Sequence, residues 1–225
     1  MVLDILLKDI LMKYSAILFD LDGTLMNTIK LYERAVIDTI RGYGATLTPR
    51  RFAEIYRSGD SISEWIREFG IDPEKKHEIR SGRDKRYMEL LRTSVEWYPG
   101  AELLLRTLQV SSPLGLVTGS WKTYLEAIEE RLPFHNHFET IVTADDMGAF
   151  PKPHPHALLL AADRLSIDPK TSVYIGDQSF DIAAAKSAGM KSILVETEYT
   201  PEDAGKNADF VVKSLREIQK ILSLV

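Results

Sequence analysis

The sequence of 225 residues contains no cysteine, and this absence excludes several kinds of chemistry. Disulfide bonds, thiolate nucleophiles and cysteine-ligated zinc sites all require that residue. Positive charge is also scarce, because 28 Lys and Arg stand against 33 Asp and Glu, for a formal net charge of -5. Nucleic acids and anionic membranes attract basic surfaces, so we expect the protein to bind neither. Nothing points to an oxidising compartment, and the composition favours a cytoplasmic protein.

The opening segment, residues 1–11, is apolar but too short to span a bilayer, and it carries Asp4 and Asp9. It lacks the basic start and the small-residue cleavage site of a secretory signal. We interpret it as either a surface helix or the result of a misassigned start codon. The hydrophobic content of 44% suffices for one substantial core and a small second domain.

From about Pro99 onward, short apolar runs alternate with amphipathic stretches. The apolar runs are predicted to be strands, and they cover residues 114–118, 140–143, 172–176, 192–195 and 209–212. Helical patterns lie between them, over residues 124–132, 155–165 and 181–189. This alternation predicts an α/β fold with a doubly wound parallel sheet. In such open sheets ligands bind at the carboxyl ends of the strands.

Residues 25–97 break this alternation, because they show helical periodicity without a convincing strand. We predict a helical domain over residues 27–97, inserted after the first strand into a core domain made of residues 1–26 and 98–225. The insertion begins and ends close to the carboxyl end of that strand. It should therefore cover the predicted ligand site as a lid.

Two carboxylates follow the apolar run at residues 16–19. In extended chain, residues two apart share a face, so Asp20 and Asp22 can point the same way while Leu21 faces the core. Such a pair can bind a hard divalent cation through oxygen. It can also divide the work of catalysis, with one acid as nucleophile and the other moving protons.

Three further strand ends or nearby loops carry polar groups that suit a phosphate ester. Thr118, Gly119 and Ser120 offer a hydroxyl and accessible backbone amides for phosphate oxygens. Lys152 could neutralise both an acid and a transferring phosphoryl group. Asp177 follows a predicted strand and could complete a magnesium site.

In that order, the segments Asp20-x-Asp22-Gly-Thr, Thr118, Lys152 and Gly176-Asp177-x-x-x-Asp181 resemble the four motifs of haloacid dehalogenase superfamily phosphatases. The resemblance covers nearly the whole chain and implies a Rossmann-like core. The helical insertion resembles the cap of the phosphoglycolate phosphatase and β-phosphoglucomutase branch. Where relatives commonly carry an acid and a small hydroxyl residue, this chain has Asn27 and Gln178.

The resemblance also implies roles for the motif residues. Asp20 would form an aspartyl-phosphate, and Asp22 would protonate the leaving alcohol and then activate water. Thr118 and the Gly119 amide would hold phosphoryl oxygens, while Lys152 would stabilise the charge on Asp20 and on the transferring group.

A Mg²⁺ cofactor is implied as well, with Asp20, the backbone carbonyl of Asp22, and Asp177 as its ligands. Asp181 would support the metal site, although an acid at that position could also serve only as a helix cap. We assign the remaining substrate contacts to residues of the core motifs and to one basic residue of the insertion: Gly119, Ser120, Thr24 and Arg57.

The resemblance implies a Mg²⁺-dependent phosphatase for a small phosphorylated metabolite, with 2-phosphoglycolate as the first candidate. A sugar-phosphate mutase like β-phosphoglucomutase would use the same two aspartates and is the alternative among enzymes. A binding or regulatory protein without turnover is the alternative of another class, although such proteins usually lose Asp20 or Asp22. We expect a monomer or a homodimer.

Overall fold

The computed structural model describes residues 14–59 and 62–224, and the predicted segment 1–11 lies outside them. Within these residues the chain forms one sheet of six parallel strands. The strands are short, mostly buried apolar runs, as expected for a sheet covered on both faces. Their bounds are Ala16–Phe19 (β1), Leu114–Val117 (β2), Thr140–Val142 (β3), Ser172–Gly176 (β4), Lys191–Val195 (β5) and Phe210–Val212 (β6).

The strands lie in the order β3-β2-β1-β4-β5-β6, which confirms the predicted doubly wound parallel sheet. The chain builds outward from β1 to β3 on one side, then crosses back to place β4 on the other side of β1. The carboxyl ends of β1, β2 and β4 therefore meet at the point where the strand order reverses. Open α/β sheets bind ligands in the crevice at this point.

The segment between β1 and β2 is helical throughout its regular structure, as predicted. The α-helices of its residues 27–97 are Thr28–Gly42 (α1), Pro49–Ser58 (α2), Ile62–Glu68 (α3) and Lys76–Ser94 (α4). We call residues 27–97 the helical insertion. Its two ends run side by side, because Asn27 N donates to the Glu96 carbonyl over 3.1 Å and Tyr98 N donates to the Leu25 carbonyl over 2.8 Å. The division into two domains at these positions stays a prediction.

Of the remaining α-helices, Ala101–Leu108 (α5) lies between the helical insertion and β2. The others come after β2, β3, β4 and β6: Lys122–Glu129 (α6), Ala144–Met147 (α7), His156–Arg164 (α8), Ser179–Ala188 (α9) and Leu215–Leu224 (α10). Successive residues of β1 face opposite sides of the sheet. Phe19 packs in a cluster with residues of α5 and α10, and Leu18 packs in a second cluster with residues of α8 and α9. The sheet is thus the middle of three layers. No helix of residues 14–59 and 62–224 combines the length and apolarity needed to cross a bilayer.

The helical insertion has a hydrophobic cluster of its own, which includes Phe52 and Trp65. One residue from outside the insertion belongs to that cluster, namely Tyr199, in the loop after β5. Its ring meets Phe52 edge to face with centroids 6.1 Å apart, and its hydroxyl donates to Glu33 Oε2 over 2.9 Å. The core loop and the insertion are therefore packed together at this point.

Candidate active site

Asp20 lies directly after β1 and is only 4% exposed. Its backbone amide donates to the Ile175 carbonyl of β4 over 2.8 Å, which continues the sheet hydrogen bonding by one residue. The turn that follows depends on Gly23, whose φ is +80°. A Cβ at Gly23 would lie 2.3 Å from Ile29 Cδ1 and 2.6 Å from Asp177 Oδ2, so a larger residue would push into the site.

Lys152 connects the two acidic ends of the site. Its Nζ donates to Asp20 Oδ1 and to Asp181 Oδ1, each over 2.7 Å, and to the Tyr174 hydroxyl over 2.9 Å. Burial acts to lower the pKa of Lys152, but the carboxylates of Asp181 and Asp20 outweigh it and raise that pKa well above its ordinary value. The ammonium is therefore charged at neutral pH and held between two carboxylates.

Asp20, Asp177 and Asp181 form a buried cluster in which one carboxylate oxygen from each lies within 4.8 Å of the others. Burial, with the carboxylates of Asp181 and Asp22, raises the pKa of Asp20 to about 8, although Lys152 opposes the shift. Burial and the carboxylates of Asp181 and Asp20 also raise the pKa of Asp177 well above its ordinary value.

This charge arrangement fits a divalent cation. Three buried carboxylates share one ammonium, so a cation among their oxygens would remove the repulsion that raises these pKa values. Hard cations such as Mg²⁺ prefer carboxylate oxygens. Asp181 is already occupied, because its Oδ1 accepts from Lys152 and its Oδ2 accepts from the Gln178 amide over 3.0 Å. It therefore suits an outer supporting position better than direct ligation.

Asp22 faces the end of β2. The Thr118 hydroxyl donates to Asp22 Oδ2 over 2.9 Å and accepts from the Ser120 amide over 3.0 Å. Thr118 is fully buried, so it orients Asp22 from behind, while Gly119 and Ser120 line the cavity above. The structure thus brings the predicted motif residues of β1, β2 and β4 and the loop lysine to one place.

A cavity of about 350 Å³ opens over these residues. We call its lower part the floor, which consists of Asp20, Asp22, Gly119, Ser120, Lys152, Asp177 and Gln178. We call the other lining residues the wall, which consists of Ile29, Tyr32, Tyr56, Arg83, Tyr87, Trp121, Tyr124 and Phe180. The helical insertion supplies five of these wall residues, and its role as a lid stays a prediction.

Three residues predicted to contact the substrate, Arg57, Thr24 and Thr118, do not line the cavity. The buried Thr118 hydroxyl contacts Asp22, as described above. The guanidinium of Arg57 donates to the Glu198 carbonyl over 2.6 Å, and Arg57 does not line the cavity. The hydroxyl of Thr24 is buried and donates to Asp177 Oδ1 over 3.2 Å. Arg57 therefore joins the insertion to the core, and Thr24 holds a carboxylate of the cluster.

Sequence reasoning missed two residues of the site and singled out a third, Gln178, only as a departure from the family pattern. The Tyr174 hydroxyl accepts a hydrogen bond from Lys152 within the site. In the sequence, the only indication of this role was a side chain with a polar tip in a strand predicted to be buried. Gln178 Nε2 donates to Asp177 Oδ2 over 2.6 Å and to the Tyr199 carbonyl over 3.3 Å. Arg83 is the basic residue that the insertion places in the wall, and nothing distinguished it from other arginines of α4.

The chain belongs to the haloacid dehalogenase-like hydrolase family, whose model matches residues 17–195. It is 30% identical over 218 residues to an N-acetylmuramic acid 6-phosphate phosphatase from Pseudomonas aeruginosa, covering 94% of this chain and 96% of that one. It is also 30% identical over 180 residues to a phosphoglycolate phosphatase from Xanthomonas campestris, covering 79% and 81%. These findings make it a phosphatase-type hydrolase and confirm the predicted family.

A solved structure of β-phosphoglucomutase from Clostridium difficile superposes on this chain with a TM-score of 0.71. The match covers 94% of this chain and 98% of that one, at 24% identity. At this identity the likeness shows the fold, and it confirms the predicted Rossmann-like core of the family.

Proposed function

We propose that the protein hydrolyses phosphate monoesters of small metabolites through an aspartyl-phosphate on Asp20, with Mg²⁺ as cofactor. One observation carries this proposal: the buried Asp20 carboxylate is bound by Lys152 at 2.7 Å, within a cluster of carboxylates that fits a cation. A nucleophile of this kind needs a nearby positive charge to approach an anionic phosphoryl group.

In the first step an Asp20 oxygen attacks phosphorus, and the bond from phosphorus to the ester oxygen breaks. Lys152 donates to Oδ1, so we assign the attack to the other oxygen, Oδ2. The leaving alkoxide takes a proton from Asp22, which Thr118 orients. In the second step Asp22 accepts a proton from water, which attacks the phosphoryl group and releases inorganic phosphate and free Asp20.

Asp20, the backbone carbonyl of Asp22, and Asp177 would hold Mg²⁺, and Asp181 would support the site through Lys152 and the Gln178 amide. When bound, the ion supplies charge neutralisation for the carboxylates and for the phosphoryl oxygens. The Gly119 amide and the Ser120 hydroxyl, which belong to residues of the floor, are assigned to the other phosphoryl oxygens. Thr24 and Gln178 keep the Asp177 carboxylate in place.

The insertion, residues 27–97, is proposed to act as the cap domain over this site. The two phosphatase relatives act, by their names, on different phosphorylated metabolites, and they agree on the reaction more than on the substrate. We therefore propose the reaction for small phosphate monoesters in general. The candidate from sequence, 2-phosphoglycolate, is one compound to test among several.

The experiment is phosphate release from a panel of monoesters, with Mg²⁺ and with a chelator, followed by mass spectrometry of rapidly acid-quenched enzyme. We expect release that requires Mg²⁺, and a mass increase of one phosphoryl group on the peptide that contains Asp20. The Asp20→Asn variant is the control and should show neither signal. No release from any ester would contradict the proposal, and isomerisation of a hexose phosphate without release would favour the mutase.

A further inference from the structure

The wall of the cavity is much larger than a two-carbon substrate requires. The cavity volume of about 350 Å³ lies in the range of pockets that enclose a whole small ligand, about 300–1,000 Å³. A phosphoryl group on Asp20 would occupy the floor and leave the wall side open. The organic part of the substrate therefore has to fill a space bounded mainly by tyrosine and tryptophan rings.

Charge on the wall is balanced. Among the described lining residues the cations are Lys152, which is bound to Asp20 and Asp181, and Arg83. Arg83 Nε and Nη2 both donate to Asp84 Oδ1, over 3.0 and 2.6 Å. Asp84 does not line the cavity but lies behind Arg83 and compensates its charge. The wall therefore lacks the free positive charge that a second phosphate or a carboxylate would need.

The wall instead offers hydrogen-bonding groups held in fixed positions. Arg83 Nη1 donates to the Tyr32 hydroxyl over 2.7 Å, and the Tyr124 hydroxyl donates to Asp84 Oδ1 over 3.1 Å. Tyr87 meets the rings of both Tyr32 and Tyr124 edge to face, with centroids 5.4 and 5.1 Å apart. These contacts produce a rigid surface of apolar ring faces with polar tips.

We propose that the substrate is a sugar monophosphate whose remaining groups are uncharged, and that Arg83 with the surrounding tyrosines selects it; this inference rests on the proposed phosphatase function. A sugar presents C–H faces and hydroxyl groups together, which matches aromatic faces with polar tips. Arg83 has five N–H donors and uses three in the contacts above, so it can still donate to sugar oxygens.

The same features disfavour two other classes of ester. The carboxylate of 2-phosphoglycolate would meet an Arg83 whose charge Asp84 already compensates, and its short chain would leave the tyrosines uncovered. A bisphosphate would bring a second dianion to the wall. Arg83 is the one cation among the described wall residues, and Asp84 already compensates its charge. We expect both classes to be poorer substrates than a pentose or hexose monophosphate.

The first test compares kcat/KM for pentose and hexose monophosphates, 2-phosphoglycolate, a sugar bisphosphate and phenyl phosphate, all with Mg²⁺. We expect the best sugar monophosphate to exceed 2-phosphoglycolate and the bisphosphate by at least about tenfold. Preference for 2-phosphoglycolate or the bisphosphate, with Mg²⁺-dependent release, would overturn the substrate class and leave the proposed function standing. No release from any ester would overturn the proposed function and the substrate class together.

The second test assigns the selectivity to Arg83. In Arg83→Leu, the ratio of kcat/KM for the sugar monophosphate to that for phenyl phosphate should fall about ten- to a hundredfold, mainly through KM. A variant that only folds poorly would lose both activities in proportion, and the ratio would not change. Tyr124→Phe removes one hydroxyl without changing the ring, and we expect a smaller fall in the same ratio.

Arg86→Leu is the matched control, because Arg86 lies on the same helix but donates to Asp38 and Glu89 and does not line the cavity. Its ratio should equal that of the wild-type protein. An unchanged ratio in both Arg83→Leu and Tyr124→Phe would overturn the role of the wall in selecting the sugar.

Discussion

The floor and the wall of the cavity are built in different ways. The floor gathers charged groups from separate strand ends and one loop, and each of its carboxylates is held by a neighbouring group: Asp20 by Lys152, Asp22 by Thr118 and Asp177 by Gln178. The wall is made of aromatic rings around one compensated arginine, Arg83, and most of it comes from the helical insertion. The comparison teaches that the phosphoryl chemistry and the recognition of the organic group depend on different segments of the chain.

The strongest way to test this division is to disable the floor alone. Asp20→Asn keeps the shape of the side chain but removes the nucleophilic carboxylate, so we expect kcat to fall by about 10⁴-fold or more for every ester. The rate of phosphate release under saturating Mg²⁺ measures this fall in kcat. Circular dichroism melting should show a folded protein. Loss for one class of ester alone would contradict the division, because the floor should serve all substrates equally.

The second change on the floor separates proton transfer from attack. Asp22→Asn should lower kcat about 10²- to 10⁴-fold for an alkyl phosphate, because the leaving alkoxide then has no acid to protonate it. The loss in the first step should be smaller for p-nitrophenyl phosphate, whose leaving group needs no proton. Burst kinetics with both esters measure this difference. Equal slowing of the burst for the two esters would exclude Asp22 as the general acid.

Tyr199 lies outside the floor and the wall and joins the loop after β5 to the helical insertion, and its hydroxyl contact with buried Glu33 should matter for stability. Tyr199→Phe leaves a buried acceptor without this donor, so we expect the free energy of unfolding to fall by about 1–3 kcal/mol. Urea unfolding measures the change. Tyr43→Phe, on a partly exposed tyrosine of the insertion, is the control and should change stability by less than about 0.5 kcal/mol. Equal stability of the two variants would contradict the structural role of Tyr199.

The smallest expected effect is on the wall. Tyr87 lines the cavity, and none of the described residues makes a hydrogen bond with its hydroxyl. Tyr87→Phe should therefore lower kcat/KM for the preferred ester only about two- to tenfold, the worth of one hydrogen bond to substrate. The effect should appear in KM and be absent with phenyl phosphate. A large fall in kcat with both esters would mean that the wall takes part in the chemistry.

The floor was largely predictable because its residues follow strand-like runs. Each buried apolar run marks a strand, and parallel strands bring their carboxyl ends to one edge, so Asp20, Thr118 and Asp177 had to meet there. Lys152 lies in a loop, so the strand pattern does not place it. Its charge suggested that it could neutralise an acid, and the family resemblance implied that this acid is Asp20. Thr24 shows the limit of this reasoning. We predicted a substrate contact, but its hydroxyl donates to Asp177 and Thr24 does not line the cavity.

The wall could not be predicted in the same way. Helical periodicity shows which residues of α4 are apolar, but it does not show which part of that face lies over the floor. Arg57 and Arg83 both lie on helices of the insertion, yet only Arg83 reaches the cavity. That outcome depends on how α1 and α4 pack together and on where the ends of the insertion join the core. These are long-range contacts, which the pattern of one sequence does not encode.

The position of Tyr199 limits how the helical insertion could be exchanged in protein engineering. Grafting residues 27–97 onto the core of a relative would separate Glu33 from Tyr199 and leave a hole beside Phe52 and Tyr56. The set of residues that packs together is therefore discontinuous in sequence. It includes the loop after β5 as well as the helices of the insertion. We expect a stable chimaera to need residues 196–201 together with the helical insertion.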